Sequence, residues 1–550
     1  MVRQKRLMAL TVLILCLAAS VVSVAFAGKP QDVNDELVEI AGNISGGLAY
    51  QHVEELAEDS YEGRLTGTAG CEAAADYIAA KFGEYGLDMF GDGGTSYLET
   101  FPVTYWEAID WSLDVLTPPA IAGSYDSYPM EWCADGDISS AELVYVGLGS
   151  TAEYAGPITG KIAFILRGVY TFREKVAVAY DHGALGAIIF DHTDEPLFAG
   201  TLGELQEIPA VSLARDDGVR ILEAMGFYVT VDDYLEPADI SGSQSVFPTA
   251  DLYVDVELAE DQETSNVLGI IYGAVRPDEY VVIGAHYDHL GVLKGEVYNG
   301  ADDNAAGVAV VLELARVLSQ YADSHPGTPS RSIIFAAWTA EEQGLYGADH
   351  FVKTRQKLLP HIKIMLNLDM PGAGEWVKDG PRTNMYIEDV AHKYEYGDRP
   401  QYTSSGKEWA PKLVYDIAQL LIREEQIVPG IDYDTATPYF ETSEYALYSG
   451  IEDVKVVEYI GRSDHEPFLL AGVPATCIFS GADKYPEFHQ PGDDTLLVDP
   501  VKLAISAMIA GCSAWKVAQL ATQPAVVAEP TVYPAIGARH VPVFPAGEVA

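Results

Sequence analysis

Between residues 265 and 519 short apolar runs alternate with longer amphipathic stretches, and this rhythm constrains the fold more than any other feature of the chain. It predicts strands at 265–272, 279–285, 331–337, 362–368 and 475–480, and helices at 304–320, 342–355, 409–424 and 499–519. Strands that alternate with helices imply an α/β domain: a mixed, mostly parallel sheet flanked by helices. Such sheets collect functional groups beyond the carboxyl ends of their strands. At those ends the sequence places His286 (VVIGAHYDHLG), Glu341 and Glu342 (AAWTAEEQG) and Asp369 (KIMLNLDM). Asp303 (NGADDNAAG) precedes a helix, where a carboxylate is favoured by the helix N-terminus, and His489 (EFHQPGDD) follows the last strand.

His286, Asp303, Glu342, Asp369 and His489 are imidazole and carboxylate donors without a thiolate, a set that suits zinc, with cobalt or manganese also compatible. A structural zinc closes with four ligands. Five, two of them histidines, suit two metals bridged by a carboxylate, an arrangement that activates water and polarises a carbonyl. Glu341 adjoins a ligand in sequence, so its side chain can aim at the water instead and act as general base. Asp288, two residues after His286, has the spacing to accept the imidazole N–H and fix its tautomer. His289 reads as structural, and Asp302 and Asn304 as neighbours of the bridge.

These motifs resemble the co-catalytic di-zinc aminopeptidases, metallopeptidase family twenty-eight. The match runs over H-x-D (His286, Asp288), Gly300 to Gly307, Glu341-Glu342-Gln343-Gly344, Leu368-Asp369-Met370, Ser463-Asp464-His465 and His489. Arg64-Leu65-Thr66-Gly67 and the helix after it resemble the family's N-terminal part. The resemblance implies a zinc exopeptidase fold of the phosphorylase/hydrolase-like type and two zinc ions. One would be held by His286 and Asp369 and the other by Glu342 and His489, with Asp303 bridging. It further implies hydrolysis of N-terminal residues by a metal-bridging hydroxide, with Glu341 as base. Many relatives carry a tyrosine just before the last ligand histidine to stabilise the oxyanion. Here Phe488 stands there, and Tyr459, four residues before Ser463, is the candidate donor.

Residues 131–250 have a different texture. GKIAFILRG, FREKVAVAYDHGALGAIIF and EIPAVSL resemble a protease-associated domain through Gly160, Lys161, Arg167, Gly168, Phe172, Lys175, Gly183, Ala184, Ile208, Pro209 and Ser212. Such a β-rich α/β insert carries no obvious catalytic group and is expected to act as a lid or substrate selector. Residues 35–130 then read as the N-terminal part of the peptidase domain, 251–522 as the catalytic domain, and the Pro- and Val-rich 523–550 as a disordered tail.

The N-terminus carries Arg3, Lys5 and Arg6, an apolar run from Leu7 to about Val24, and Ala25-Phe26-Ala27 as a cleavage site. Residues 1–27 are therefore expected to be a signal peptide that sends the protein outside the cell or into the envelope, the length of the run leaving an uncleaved anchor open. No second spanning segment stands out, so no stable membrane partner is expected. A formal charge of −49 argues against nucleic acid, whose phosphates need a Lys/Arg surplus. A solvated surface, high-salt adaptation and attraction of cationic substrate ends all remain compatible with that charge. Cys71, Cys133, Cys477 and Cys512 are too widely spaced to assign pairs.

The acidic surroundings favour peptides with a free N-terminus over a carboxypeptidase substrate, since Arg462 and Lys484 make no basic recognition patch. Glutaminyl cyclase, with one metal on the same fold, and a non-enzymatic receptor-like relative are the alternatives. No GxSxG supports a serine hydrolase, and HExxH is absent.

Overall fold

The computed structural model describes residues 33–521 apart from 194–196, 199, 231–233, 374, 378–379, 383–384, 389–408, 428–429, 433–448, 452–453, 458–462, 481–484 and 486. The signal segment, the tail and Tyr459 lie outside the described residues. In chain order the main elements begin with α1 (Val33–Asn43), α2 (Gly46–Leu56), α3 (Ala69–Glu84) and the long strand β1 (Leu98–Thr117). Next come β2 (Ser127–Pro129), β3 (Gly136–Tyr145), β4 (Ile162–Leu166), α4 (Phe172–Asp181), β5 (Gly186–Phe190), β6 (Ala210–Leu213) and α5 (Arg215–Met225). The larger α/β unit follows with β7 (Thr249–Ile271), β8 (Arg276–His286), α6 (Gly307–Ser324), β9 (Arg331–Trp338), α7 (Tyr346–Thr354) and β10 (Ile362–Leu368). It ends with β11 (Met385–Glu388), α8 (Trp409–Arg423), β12 (Val454–Val457), α9 (His465–Leu470), β13 (Ala475–Phe479) and α10 (Pro500–Gln519).

The larger sheet runs β12-β11-β13-β10-β8-β9-β7. Its centre is parallel: β8 lies between β9 and β10, and β10 pairs with β13. The flanking pairs of β7 with β9 and β11 with β13 are antiparallel. Every residue of β9 and of β10 is buried, as expected of parallel strands covered on both faces. One face packs against α1, α2, α3, α6 and α10, in a core that includes Ile283, Phe335, Leu366, Val311 and Trp515. The other face packs Val282, Ile334 and Met365 against Phe351 of α7 and Phe468 of α9. At about 1.5–3 kcal/mol per fully buried large apolar side chain, these two layers hold the strand ends in place. By length and composition α6 and α10 could cross a membrane, yet both are largely buried in this core.

β1 and β7 form a long antiparallel ribbon, paired from Leu98↔Val267 to Thr117↔Thr249. One end of β7 belongs to the larger sheet through β9, and the other pairs with β3 of a smaller sheet, β3-β4-β5-β6-β2. That sheet is parallel from β3 to β6 and has its own core around Phe164, Ile188, Val211 and Leu222. Cys71, Cys133, Cys477 and Cys512 are buried and unbridged.

Two helix starts differ from the sequence expectation. α6 begins at Gly307, after a wide turn over Ala301–Ala306 in which Asp303 is non-helical, so its carboxylate owes its setting to side chains rather than to a helix N-terminus. α7 begins at Tyr346 and not at residue 342. Ala340 and Leu345, with φ 54° and 60°, bracket a turn in which the Gly344 and Leu345 N–H groups both donate to Glu341 O.

Candidate metal centre

Three ligand-bearing loops contain a non-glycine residue in the left-handed backbone region: Ala340 (φ 54°) before Glu341, Met370 (φ 47°) after Asp369, and His489 itself (φ 54°). Such conformations cost of order 1–3 kcal/mol and persist where surrounding structure enforces them, commonly at functional sites. Gly300, at φ 54°, is a position only glycine fits, because a Cβ there would lie 2.1 Å from Asp303 O.

All five proposed ligands converge. His286 Nε2, at the end of β8, is 3.4 Å from Asp303 Oδ1 and 3.5 Å from Asp369 Oδ1. His489 Nε2 is 3.2 Å from Asp303 Oδ2 and 3.1 Å from Glu342 Oε2. The two oxygens of Asp303 thus face different histidines, each histidine having a second carboxylate of its own. Glu341 and Glu342 diverge across this divide. Glu341 Oε2 lies 4.0 Å from His286 Nε2, and with His286 and Asp369 it could also ligate an ion. The His286 side chain is 1% exposed and that of His489 28%, so the centre opens on the His489 side.

The electrostatics are those of a cluster of cation donors. Burial alone would lower the His286 pKa, but Glu341 and contacts with Asp303 and Asp369 hold it well above the ordinary value. His489 is likewise raised against burial, by Glu342 and Asp303. Burial would raise Asp303, but hydrogen bonding from the two histidines holds it well below the usual carboxylate range. Glu342 is drawn down to about 2 against burial, by His489 and then His289. Glu341 is pushed well up by burial, with Glu342 and Asp369 adding to the push against His286. Four carboxylates around two imidazoles leave excess negative charge in a buried place, a setting that fits hard or borderline divalent cations. The residues present therefore fit divalent metal binding.

The supporting residues are only partly those expected. The His286 Nδ1 proton is oriented by the Asp288 backbone carbonyl at 3.2 Å, while the Asp288 carboxylate is 3.9 Å away. That carboxylate instead accepts the Glu341 and Glu342 N–H groups at 3.2 and 3.3 Å, fastening the β9–α7 turn. The expected Asp288–imidazole contact is thus replaced because the chain turns back after Tyr287 and presents a carbonyl first. His289, read as structural, has its Nδ1 2.6 Å from Glu342 Oε1 and orients that ligand. Asp302 accepts from Gly372 N and Ala373 N at 2.7 and 3.0 Å, and Asn304 donates to Leu368 O at 2.9 Å, so both stitch the Asp303 turn to the Asp369 loop.

One contributor was missed, Asp493, while Arg64 and Asp464 lie in motifs that the sequence matched without giving them a contact at the centre. Asp493 accepts the Asp302 and Asp303 N–H groups at 2.9 and 3.0 Å and the Tyr485 hydroxyl at 3.0 Å. Its only sequence signal is its place four residues after His489. Buried Arg64 donates to the carbonyls of Leu56, Tyr287, Asn299 and Gly300 at 2.5–2.9 Å, binding both ligand loops to the N-terminal segment. Asp464 is buried, its pKa pushed well up by that burial, and it acts electrostatically on the centre. His465 pairs with Glu388 at 2.8 Å. Phe488 stacks on the His489 ring with centroids 3.9 Å apart, so this position packs the ligand and supplies no hydroxyl.

Residues 266–410 match the model for peptidase family M28. The chain carries an M28 peptidase domain. Residues 139–221 match the PA domain model, so the smaller sheet is a PA domain held on the β1/β7 ribbon beside the M28 domain. The chain is 24% identical over 399 residues to the probable leucine aminopeptidase 2 of Aspergillus fumigatus, an alignment covering 71% of this chain and 64% of that one. The chain therefore spans less than two thirds of that relative's length. In fold it is similar to an aminopeptidase from Aneurinibacillus sp. strain AM-1, with TM-score 0.61 and 24% identity over 90% of this chain and 98% of that one. A zinc aminopeptidase from Bacillus subtilis gives TM-score 0.56 and 21% identity over 86% and 95%.

Proposed function

We propose that this chain is an exported zinc aminopeptidase that removes N-terminal residues from peptides. The observation that carries this reading is the division of Asp303 between His286 and His489 at 3.4 and 3.2 Å, with Asp369 beside the first histidine and Glu342 beside the second. His286 and Asp369 would hold one zinc, His489 and Glu342 the other, and Asp303 would bridge. Bound there, the metals would supply Lewis acidity toward a scissile carbonyl and make a water acidic at neutral pH.

The chain's own residues do the rest. Glu341 takes the proton from the attacking water and gives it to the departing amine. A carboxylate that burial already biases toward the protonated form is suited to hold the proton between those transfers. His289 and the Asp288 carbonyl keep the ligand side chains aimed, and Asp493 sets the Asp303 turn. Tyr459 is the proposed oxyanion donor. Export rests on residues 1–27 and predicts a mature chain beginning at Gly28 in the cell-free or envelope fraction.

The deciding experiment combines metal analysis with peptides whose amino end is free or acetylated. About two zinc ions per chain are expected from the two donor groups, with hydrolysis only of free-amine peptides and none after chelation. Full turnover after exhaustive demetallation refutes the mechanism. Cleavage of acetylated peptides from the other end gives a carboxypeptidase instead, and cyclisation of N-terminal glutamine with one metal gives a cyclase.

A further inference from the structure

A second group of metal-ligand side chains lies toward the β12 edge of the larger sheet and shares no residue with the first: Glu388, His465 and Cys477. β11 runs antiparallel to β13 through Tyr386↔Phe479 and Ile387↔Ile478, and the continuation of that register sets Glu388 opposite Cys477. β10 runs parallel to β13 with Asn367 beside Cys477. Three neighbouring strands thus carry Asn367, Cys477 and Glu388 in one row. His465, the first residue of α9, reaches that row, with its Nε2 2.8 Å from Glu388 Oε2. A ring nitrogen of His465, the Cys477 sulfur and a Glu388 oxygen all lie within 4.8 Å of one another.

The surroundings hold these donors in place. The Glu388 carbonyl accepts the Thr476 hydroxyl at 2.7 Å. Asn367 Nδ2 donates to Ser463 Oγ at 2.6 Å, which anchors the segment leading into His465, and to Cys477 Sγ at 3.6 Å. A donor aimed at the sulfur favours its thiolate form. The side chains of His465 and Glu388 are 1% and 4% exposed, and Cys477 is 3% exposed. A thiol so deeply enclosed meets no substrate, so this Cys, His and Glu do not serve as a nucleophile with its base. An ion enclosed as the chain folds meets no such obstacle. Thiolate, imidazole and carboxylate are the donor types that zinc takes in tetrahedral sites. Bonds of about 2.0–2.3 Å set tetrahedral donors roughly 3.5 Å apart, so the His465–Glu388 pair would open by about 0.7 Å to admit the ion.

We propose that Glu388, His465 and Cys477 form a separate, structural site for a divalent ion of the zinc class, which fastens β11 and α9 to β13. Its ion adds to those of the first centre. Binding releases the Cys477 thiol proton to solvent and uses an unprotonated nitrogen of His465.

The test uses cobalt, which accepts the same donors and reports on them by colour. The mature chain is produced in cobalt-supplemented medium, so that the ion is present during folding, and its cobalt content and absorption spectrum are measured. Cobalt bound to a thiolate shows an intense near-ultraviolet sulfur-to-metal charge-transfer band, which the first centre, made of imidazole and carboxylate donors, does not give. Among the described residues no other cysteine stands in such a group of three donors. Wild type should show the band. Cys477→Ser should lack it and carry one ion fewer per chain, while the visible absorption of cobalt at the first centre remains. If Cys477→Ser does not fold, X-ray absorption at the cobalt edge of wild type decides by the presence or absence of a sulfur neighbour. A cobalt-grown wild type without the band, or a band that survives in Cys477→Ser, overturns the proposal.

Discussion

Asp493→Asn tests whether the metal centre depends on a residue that touches no proposed metal. In the native protein one Asp493 oxygen accepts the Asp302 N–H at 2.9 Å and the Tyr485 hydroxyl at 3.0 Å, and the other accepts the Asp303 N–H at 3.0 Å. An asparagine can keep the first pair, but its NH2 then faces the Asp303 N–H, donor against donor. One hydrogen bond to a charged acceptor is lost, about 1.5–3 kcal/mol, and a buried N–H is left unmet. Against that, the native carboxylate is itself expensive to bury, which is why its pKa is pushed up to about 6. Removing the charge recovers part of the loss, so the metal-free fold should change by no more than about 1–2 kcal/mol. The aim of Asp303 has no such compensation, and loss of a residue that orients a ligand typically costs 10–100-fold in metal affinity. A competition titration against a fluorescent zinc chelator should therefore show zinc affinity down by about that factor, with urea unfolding of the metal-free protein little changed. Zinc affinity within twofold of wild type would refute the reasoning.

Glu341→Gln should keep its zinc, by metal analysis, while kcat falls about 10²–10⁴-fold, and unchanged turnover would remove Glu341 from the proton path. Arg64→Ala strands four buried carbonyls and should cost about 3–5 kcal/mol by denaturant unfolding, so a loss under about 1 kcal/mol would contradict the assigned contacts. His286 and His489 are raised in the metal-free protein, so their stabilising contribution is complete below about 6.5 and is lost as pH rises through their folded values. The gap in melting temperature between zinc-loaded and chelated protein should consequently be wider at pH 8 than at pH 6, and an equal or reversed gap would count against the assignment. Tyr459→Phe should lower kcat about 10²-fold with KM nearly constant if it donates to the oxyanion.

What could be read from the sequence is what depends on short range. β9 and β10 are legible as unbroken apolar runs because both faces of each strand are covered, and His286 and Asp369 are legible because they end or follow such runs. Roles that depend on which atom faces which are not legible. The spacing of Asp288 from His286 correctly implies proximity, but the backbone carbonyl arrives before the carboxylate and takes the imidazole, leaving the side chain to hold the turn of Glu341 and Glu342. Asp493 works through backbone N–H groups about 190 positions away in the chain, and a main-chain donor leaves no residue pattern to search for. Arg64 is hidden for the same reason, since all four of its acceptors are carbonyls.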